Sequence, residues 1–293
     1  MYEKKHLGFM YALPYIIGVL LFQLFPFVLS FALSFTDYSA VGEPQWVGLQ
    51  NYEDIILYDS KFHKSYGVSI GFVLTTVPVR LAIALFVAHI LNFKLRGINF
   101  FRTAFYLPSV LGGSIAVAVL WRFVFAEQGL VNILLTKLGF SAIPWFADEN
   151  YAIWTIILLN AWQFGSAMVI FLAALQNVPQ SLYEAASIDG ASKMQMFLKV
   201  TIPLITPVIF FNFIMQMVNA SQEFNAPYVI TGGGPLHSTY LLSLYIYEES
   251  FKNMAMGYGS ALAWILFTTV SVLTAIAFWS QKYWVFYSGE KRK

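Results

Sequence analysis

The chain of 293 residues contains no cysteine, which excludes disulfides and thiolate metal sites. Charge is also scarce: Asp, Glu, Lys and Arg make up 11% of the residues, against about 25% in a soluble domain. The formal net charge of +2 is too small to point to nucleic acid as a partner. Histidine is limited to His6, His63, His89 and His237. No two of these stand at a metal-ligand spacing, so no metal site is expected. The sequence has no glycine-rich phosphate loop, no HExxH pattern and no nucleophile elbow. It therefore offers no motif for binding or hydrolysing nucleotide, and no constellation of nucleophile, base or metal ligands for an integral-membrane enzyme.

Apolar surface, by contrast, is abundant. Hydrophobic residues make up 58% of the chain, with 28 Phe and 8 Trp, and mean hydropathy is +0.65. These values indicate an integral membrane protein, and the long apolar runs make it an all-α one. A helix needs about 20 apolar residues to cross a bilayer core of about 30 Å. Charge-free runs lie between Lys5 and Asp37, Arg102 and Arg122, Glu149 and Glu184, Lys199 and Glu223, and Lys252 and Lys282. A sixth run, Tyr66 to Leu91, holds one charge, Arg80. The pattern predicts six helices near 9–35, 67–91, 103–125, 151–175, 203–224 and 257–281, in one membrane domain over 1–293. The first run is too long for a signal-peptide core and reads as an uncleaved helix. The charge-free stretch Phe224 to Tyr247 is not a seventh span. It holds Pro227 and Thr231-Gly232-Gly233-Gly234-Pro235, and such a run cannot leave its backbone unpaired in lipid. Leu241 to Phe251 reads as a short interfacial helix.

Lys and Arg in short loops set the orientation. Lys4 and Lys5, then Lys94, Arg96 and Arg102, then Lys282, Lys291, Arg292 and Lys293 mark one side. The 36–65 loop carries Asp37, Glu43, Glu53, Asp54 and Asp59 against Lys61 and Lys64. The 126–150 segment has three acids and one lysine, Lys137. Both termini, and the loop 179–202 between the fourth and fifth helices, are expected in the cytoplasm. In the outer segment 126–150, Leu130 to Leu138 suits a short amphipathic surface helix, and Pro144-Trp145-Phe146 an interfacial anchor.

The 179–202 loop is polar and strongly patterned. Ser181-x-x-Glu184 has the form of a capping box, with Leu182 to Ile188 as a short helix. Gly190 supplies a left-handed stop, and Ser192 can cap a second helix running to about Thr201. A helix–turn–helix elbow follows. Glu184 could simply complete the capping box. Ala185 and Ala186 favour docking instead, because they let another surface approach the backbone, and Glu184, Asp189, Lys193 and Lys199 surround them with both signs of charge.

The string EAASIDGASKMQMFLKVTIPLITP resembles the EAA loop of ABC-importer permeases. Further stretches are similar to the MalF-like permeases of carbohydrate importers. They are Asn51-Tyr52, Gly97 to Pro108, Gly129-Leu130-Val131-Asn132, Leu175 to Pro179, Thr231 to Pro235 and Gly257 to Ala261. The resemblance runs from about residue 8 to 285. It implies a six-transmembrane-helix type I ABC importer permease in a bacterial or archaeal cytoplasmic (inner) membrane. The implied partners are a second homologous permease, a dimer of ATPase subunits, an extracytoplasmic solute-binding protein, a carbohydrate substrate and membrane lipid. The implied chain binds no cofactor itself, while ATP and Mg2+ serve the ATPase. Carried onto this sequence, Glu184 would face a basic residue of the ATPase. Gly190 would make the turn beside Asp189, and Ala185, Ala186 and Ala191 would form the close-packed surface.

Polar residues inside spans are costly and mark candidate functional sites. Asn219, Gln222 and Glu223 near the end of the fifth span share a helical face by spacing. The fourth span offers Asn160, Trp162 and Gln163. Amides and carboxylates pair with sugar hydroxyls, and the resemblance implies that the corresponding helices hold substrate; the same residues could equally bond to neighbouring helices. Arg80 either meets an anionic group in a cavity or pairs with a carboxylate or carbonyl inside the bundle. An ion-coupled secondary carrier is the rival function. Such carriers need buried ionisable groups and often carry internal repeats, and here only Arg80 interrupts the spans and no repeat is visible.

Overall fold

Apolar runs become helices because backbone in hydrocarbon must satisfy its own N–H and C=O groups. The computed structural model of the chain describes residues 5–39, 42–93 and 96–287. Lys4, Lys94, Lys291, Arg292 and Lys293, which carry part of the charge asymmetry, lie outside the described residues.

The chain opens with α1 (Lys5–Val19) and α2 (Phe25–Leu33), joined by a π-turn over Leu20–Leu24. An antiparallel ribbon pairs β1 (Thr36–Asp37) with β2 (Gln45–Trp46), Thr36 opposite Trp46. Helix α3 (Gln50–Glu53) leads by a second π-turn into α4 (Ser60–Leu91). Next come α5 (Ile98–Leu111), α6 (Ile115–Val124), α7 (Leu130–Lys137), α8 (Glu149–Trp162), α9 (Gly165–Gln176) and α10 (Gln180–Ile188). Helix α11 (Lys193–Met196) continues through a π-turn at Phe197–Thr201 into α12 (Ile202–Ser221). After a further π-turn at Pro227–Thr231, α13 (Leu242–Tyr247) and α14 (Met256–Trp284) complete the order.

Among the described residues, four stretches are long and apolar enough to cross a membrane: Met10–Leu33, Ser60–Leu91, Lys193–Ser221 and Met256–Trp284. The number rises to six if α5 with α6, and α8 with α9, each count as one broken span. The expected helices 103–125 and 151–175 are therefore not continuous. Helices α5 and α6 are bent by 104°, and α8 and α9 by 43°. At the first break Ser114 leaves the helical conformation and caps α6, its Oγ accepting from the Val117 N–H at 3.3 Å. The expected helix 203–224 instead begins at Lys193 and stops at Ser221. Its π-turn ends just before Pro203, where the missing N–H would break a regular ladder. The Phe224 to Tyr247 stretch contains no span. Gly232 and Gly233 adopt left-handed φ of +62° and +86°, and Thr239 Oγ1 donates to the Gly234 carbonyl at 2.9 Å.

The single domain expected over 1–293 packs as two units. One comprises Met1–His63 with Tyr245–Thr268, the other Lys64–Leu244 with Thr269–Lys293. In the first, Trp264 packs against Phe27 and Phe31 at 4.7 and 4.5 Å. Buried Asn51 donates to the Ser34 and Thr36 carbonyls at 2.9 Å each. A side chain at Gly257 would strike the Thr36 carbonyl, so the ribbon sits directly on that glycine. Asp59 accepts from the hydroxyls of Tyr245 and Tyr258 at 2.5 and 2.6 Å and from the Phe62 N–H at 2.9 Å. Burial works to raise the Asp59 pKa, but these donors hold it below the ordinary carboxylate value. Burial and the Asp59 contact push the Tyr245 phenol up.

The second unit holds the main apolar core. Phe72, Val73 and Val77 of α4 meet Ile156, Ile157 and Leu159 of α8 and Met217 and Ala220 of α12. A second cluster sets Ala84 and Ala88 of α4 against Ala167, Met168 and Phe171 of α9, and the three alanines allow close helix approach. Asn132 of α7 organises the segment after α6. It donates to the Glu127 and Ile143 carbonyls and accepts from the Ile143 N–H and the Trp145 indole, all at 2.9–3.1 Å.

Candidate functional site

Two places in the second unit concentrate the residues singled out by sequence. The first is the elbow. Helix α10 starts at Gln180 after Pro179, and no side chain caps it. The expected Ser181–Glu184 capping box is absent because the helix begins at Gln180, two residues before the expected start at Leu182. Ser181 thus lies inside the first turn rather than ahead of it. Pro179 occupies the cap position; it has no side-chain acceptor, but its ring supplies the extended entry. The stop is as expected. Gly190 has φ +76°, the Ala191 N–H donates to the Ala186 carbonyl at 2.9 Å, and the Gly190 N–H to the Ser187 carbonyl at 3.1 Å. This is a Schellman closure. The capping box forms on the next helix, where Ser192 Oγ accepts from the Gln195 N–H at 3.3 Å and Gln195 Oε1 from the Ser192 N–H at 2.8 Å. The two short helices are thus held at a defined bend.

The elbow presents its side chains outward. Glu184, Ala185, Asp189 and Gly190 are exposed, and Ala186 and Ala191 half-buried. Glu184 has no hydrogen-bond or ion-pair partner among the described residues. Ile188 is 87% exposed and Met194 66%, an apolar surface beside unpaired charge. One tie anchors the elbow: the Tyr183 and Thr201 hydroxyls hydrogen-bond at 2.8 Å, linking α10 to the base of the α12 span.

The second place is a junction of broken helices. The Arg80 guanidinium donates to the Gln163 carbonyl at 2.6 Å, at the end of α8. Gln163 Nε2 donates to the Gly112 carbonyl at 2.9 Å, in the break between α5 and α6. Asn225 donates to the neighbouring Gly113 carbonyl at 3.2 Å. Glu223 Oε1 accepts from the Ala226 N–H at 3.1 Å, its carbonyl accepts from the Ser243 hydroxyl, and its charge acts on Arg80. Three chain breaks, at 112–114, 163–164 and 222–226, are thereby tied together. A side chain at Gly112 would overlap Gln163, so glycine is what admits the amide.

The other predicted residues divide. Asn160 is buried and donates to the Ile156 carbonyl of its own helix at 3.3 Å. Trp162 is 38% exposed and packs on Trp121 at 5.6 Å. Asn219 and Gln222 are exposed. The expected shared face of Asn219, Gln222 and Glu223 does not exist. Helix α12 ends at Ser221 with Gln222 as its C-cap, and the i, i+3, i+4 rule holds only inside a helix.

Residues 80–285 match the family described as the binding-protein-dependent transport system inner membrane component. The chain belongs to this family. As a permease of ABC importers, it is a transport subunit and not an enzyme. The ion-coupled carrier reading falls with that assignment. The chain is 45% identical over 97% of its length to the probable ABC transporter permease YesP of Bacillus subtilis strain 168, of which 93% is covered. It is 32% identical over 94% of its length to the arabinooligosaccharides transport system permease AraP of the same strain, of which 88% is covered. A crystal structure of a bacterial ABC transporter involved in import of the acidic polysaccharide alginate has the same fold. Its TM-score is 0.80 at 20% identity, covering 94% of this chain and 95% of that one. The type I ABC importer permease fold expected from the EAA resemblance is the fold observed.

Sequence reading of the permease missed two features. Gly112-Gly113-Ser114 inside a charge-free run is a helix-break and cap signal, and it locates the junction. Ser192-x-x-Gln195 is the capping-box pattern that forms.

Proposed function

We propose that this permease carries a carbohydrate, of the oligosaccharide or sugar-derivative kind, across a bacterial or archaeal inner membrane, and that its elbow receives the stroke of an ATPase. In this reading both termini and the elbow face the cytoplasm. A second homologous permease completes the path, and two ATPase subunits bind ATP and Mg2+. An extracytoplasmic solute-binding protein delivers the sugar, and lipid surrounds the spans. Glu184 pairs with a basic residue of the ATPase. Ala185, Ala186 and Ala191 give the close contact, and Asp189 and Gly190 shape the bend. Arg80, Asn160, Trp162, Gln163, Asn219, Gln222 and Glu223 are the candidates along the path.

The elbow carries the reading. It is built with two successive caps, yet among the described residues it leaves Glu184 without a hydrogen-bond or ion-pair partner and Ile188 exposed. A surface so rigidly made and so open needs a partner, since exposed apolar surface marks interaction sites. The lack of any nucleotide motif in the sequence leaves the energy step to that partner. The carbohydrate assignment draws on the arabinooligosaccharide relative and on the amides and indole near the helix breaks, groups that pair with hydroxyls and stack on sugar rings.

The test is uptake by proteoliposomes containing the full complex, its binding protein and internal ATP, with a panel of labelled oligosaccharides. Glu184→Lys with Gly190→Pro is expected to abolish uptake while the permease stays in the membrane. Normal uptake by that double variant would sink the coupling role. Uptake of no saccharide in the panel by the wild type would overturn the substrate class.

A further inference from the structure

A cavity of about 660 Å³ opens at the foot of the elbow, where the chain leaves α4 and enters α10. We propose that it binds a phosphate group. Its polar lining is Asn92, Arg96, Arg102, Gln176, Gln180 and Tyr183. Among the described residues two guanidinium groups and no carboxylate line the space, so its charge is uncompensated from within that lining.

The two arginines are held differently. Arg102 donates to the Leu91 carbonyl at 3.0 Å, at the C-terminal end of α4. That bond fixes the fork, and the Arg102 Nε is a buried donor with no partner. Arg96 is exposed and has no ion-pair or hydrogen-bond partner among the described residues. A planar fork with one arm anchored is suited to the oxygens of phosphate, which accept several N–H bonds at fixed angles. The amides of Asn92, Gln176 and Gln180 add neutral donors that a phosphate also accepts. The remaining four lining side chains are apolar, so the site has a charged end and a greasy wall.

The phosphate can come from two sources, an anionic phospholipid headgroup or a phosphorylated solute. Basic pockets between membrane helices take lipid headgroups in this manner. In either case the occupant would lie against Tyr183, whose hydroxyl ties α10 to Thr201. Occupancy therefore bears on the seating of the elbow.

The experiment is native mass spectrometry of the detergent-purified complex, titrated with phosphatidylglycerol and with glycerol phosphate, each alone and then in competition. Wild-type complex is expected to retain one of these probes. Retention of phosphatidylglycerol alone assigns the site to lipid, and displacement of it by glycerol phosphate assigns it to a solute. R96Q is expected to weaken retention by about fivefold, the effect of one basic residue near an anionic headgroup. R96Q removes no hydrogen bond or ion pair among the described residues, so the complex should assemble normally; R96Q/R102Q is expected to weaken retention further. Equal retention by wild type and R96Q, or retention of neither probe, would overturn the proposal.

Discussion

Replacing Gly190 isolates the backbone of the elbow from its side chains. Gly190 sits at φ +76°, and nothing lies within 4 Å of where a Cβ would stand. Alanine there meets no clash in the chain; its whole effect is conformational. A non-glycine residue in the left-handed region costs about 1–2 kcal/mol, equivalent to about a fivefold to thirtyfold shift in population. The Schellman bonds at 2.9 and 3.1 Å and the Ser192–Gln195 box oppose that shift, but they also require the bend. Gly190→Ala is therefore expected to lower ATP-dependent uptake by up to that factor. Asparagine tolerates the left-handed region, so Gly190→Asn should retain most of the activity. Proline holds φ near −65°, so Gly190→Pro should abolish uptake. The assay is initial uptake rate in proteoliposomes holding equal amounts of assembled complex, checked by copurification of the ATPase. Equal loss in Gly190→Ala and Gly190→Asn would refute the conformational argument and indicate that the partner excludes any side chain. Full activity in Gly190→Pro would refute the hinge itself.

Two further outcomes follow from the polar braces. Asn132→Ala strips the Ile143 N–H, the Trp145 indole and two carbonyls of their partner at once. At about 1–3 kcal/mol for a stranded buried group, the solubilised protein should melt measurably lower; an unchanged midpoint would show that Asn132 is dispensable to the α7 segment. The Asp59 cluster sets an acid limit on stability. Its folded pKa lies below the unfolded value, so its contribution is present above the ordinary carboxylate pKa of about 3.9 and is lost as pH falls through the folded value. Tyr245 is shifted the other way, so its contribution is present below the ordinary phenol pKa of about 10 and is lost only above it. Thermal midpoints should thus be flat through neutral pH and fall in acid, and Asp59→Asn should flatten the acid limb. An identical acid limb in both proteins would reject the cluster as its cause.

The long helices and the elbow were legible because their signals are local. A long apolar run with at most one charge satisfies its backbone in lipid as a helix, and α1–α2, α4 with its single mid-span Arg80, α12 and α14 follow from that. A glycine ahead of a serine cap stops and restarts a helix by bonds within six residues, and Gly190 and Ser192 do this. The polar tail of α12 was misread for the opposite reason. Periodicity places Asn219, Gln222 and Glu223 on one face only if the helix continues, and its end at Ser221 hands Glu223 instead to Ala226 and Ser243.

Sequence alone determined which segments are apolar, where the elbow turns and, through the EAA string, the family of the chain. Only the tertiary structure decided which breaks meet. Nothing in the order of residues says that Arg80 will rest on the Gln163 carbonyl, or that Gln163 will reach Gly112 across 51 positions. The same holds for Arg96 and Arg102 opening onto one cavity with Tyr183. Hydrocarbon makes each helix satisfy its own backbone, so local sequence suffices to form it. Where a helix breaks, the freed carbonyls need donors from elsewhere in the chain, and only packing supplies them.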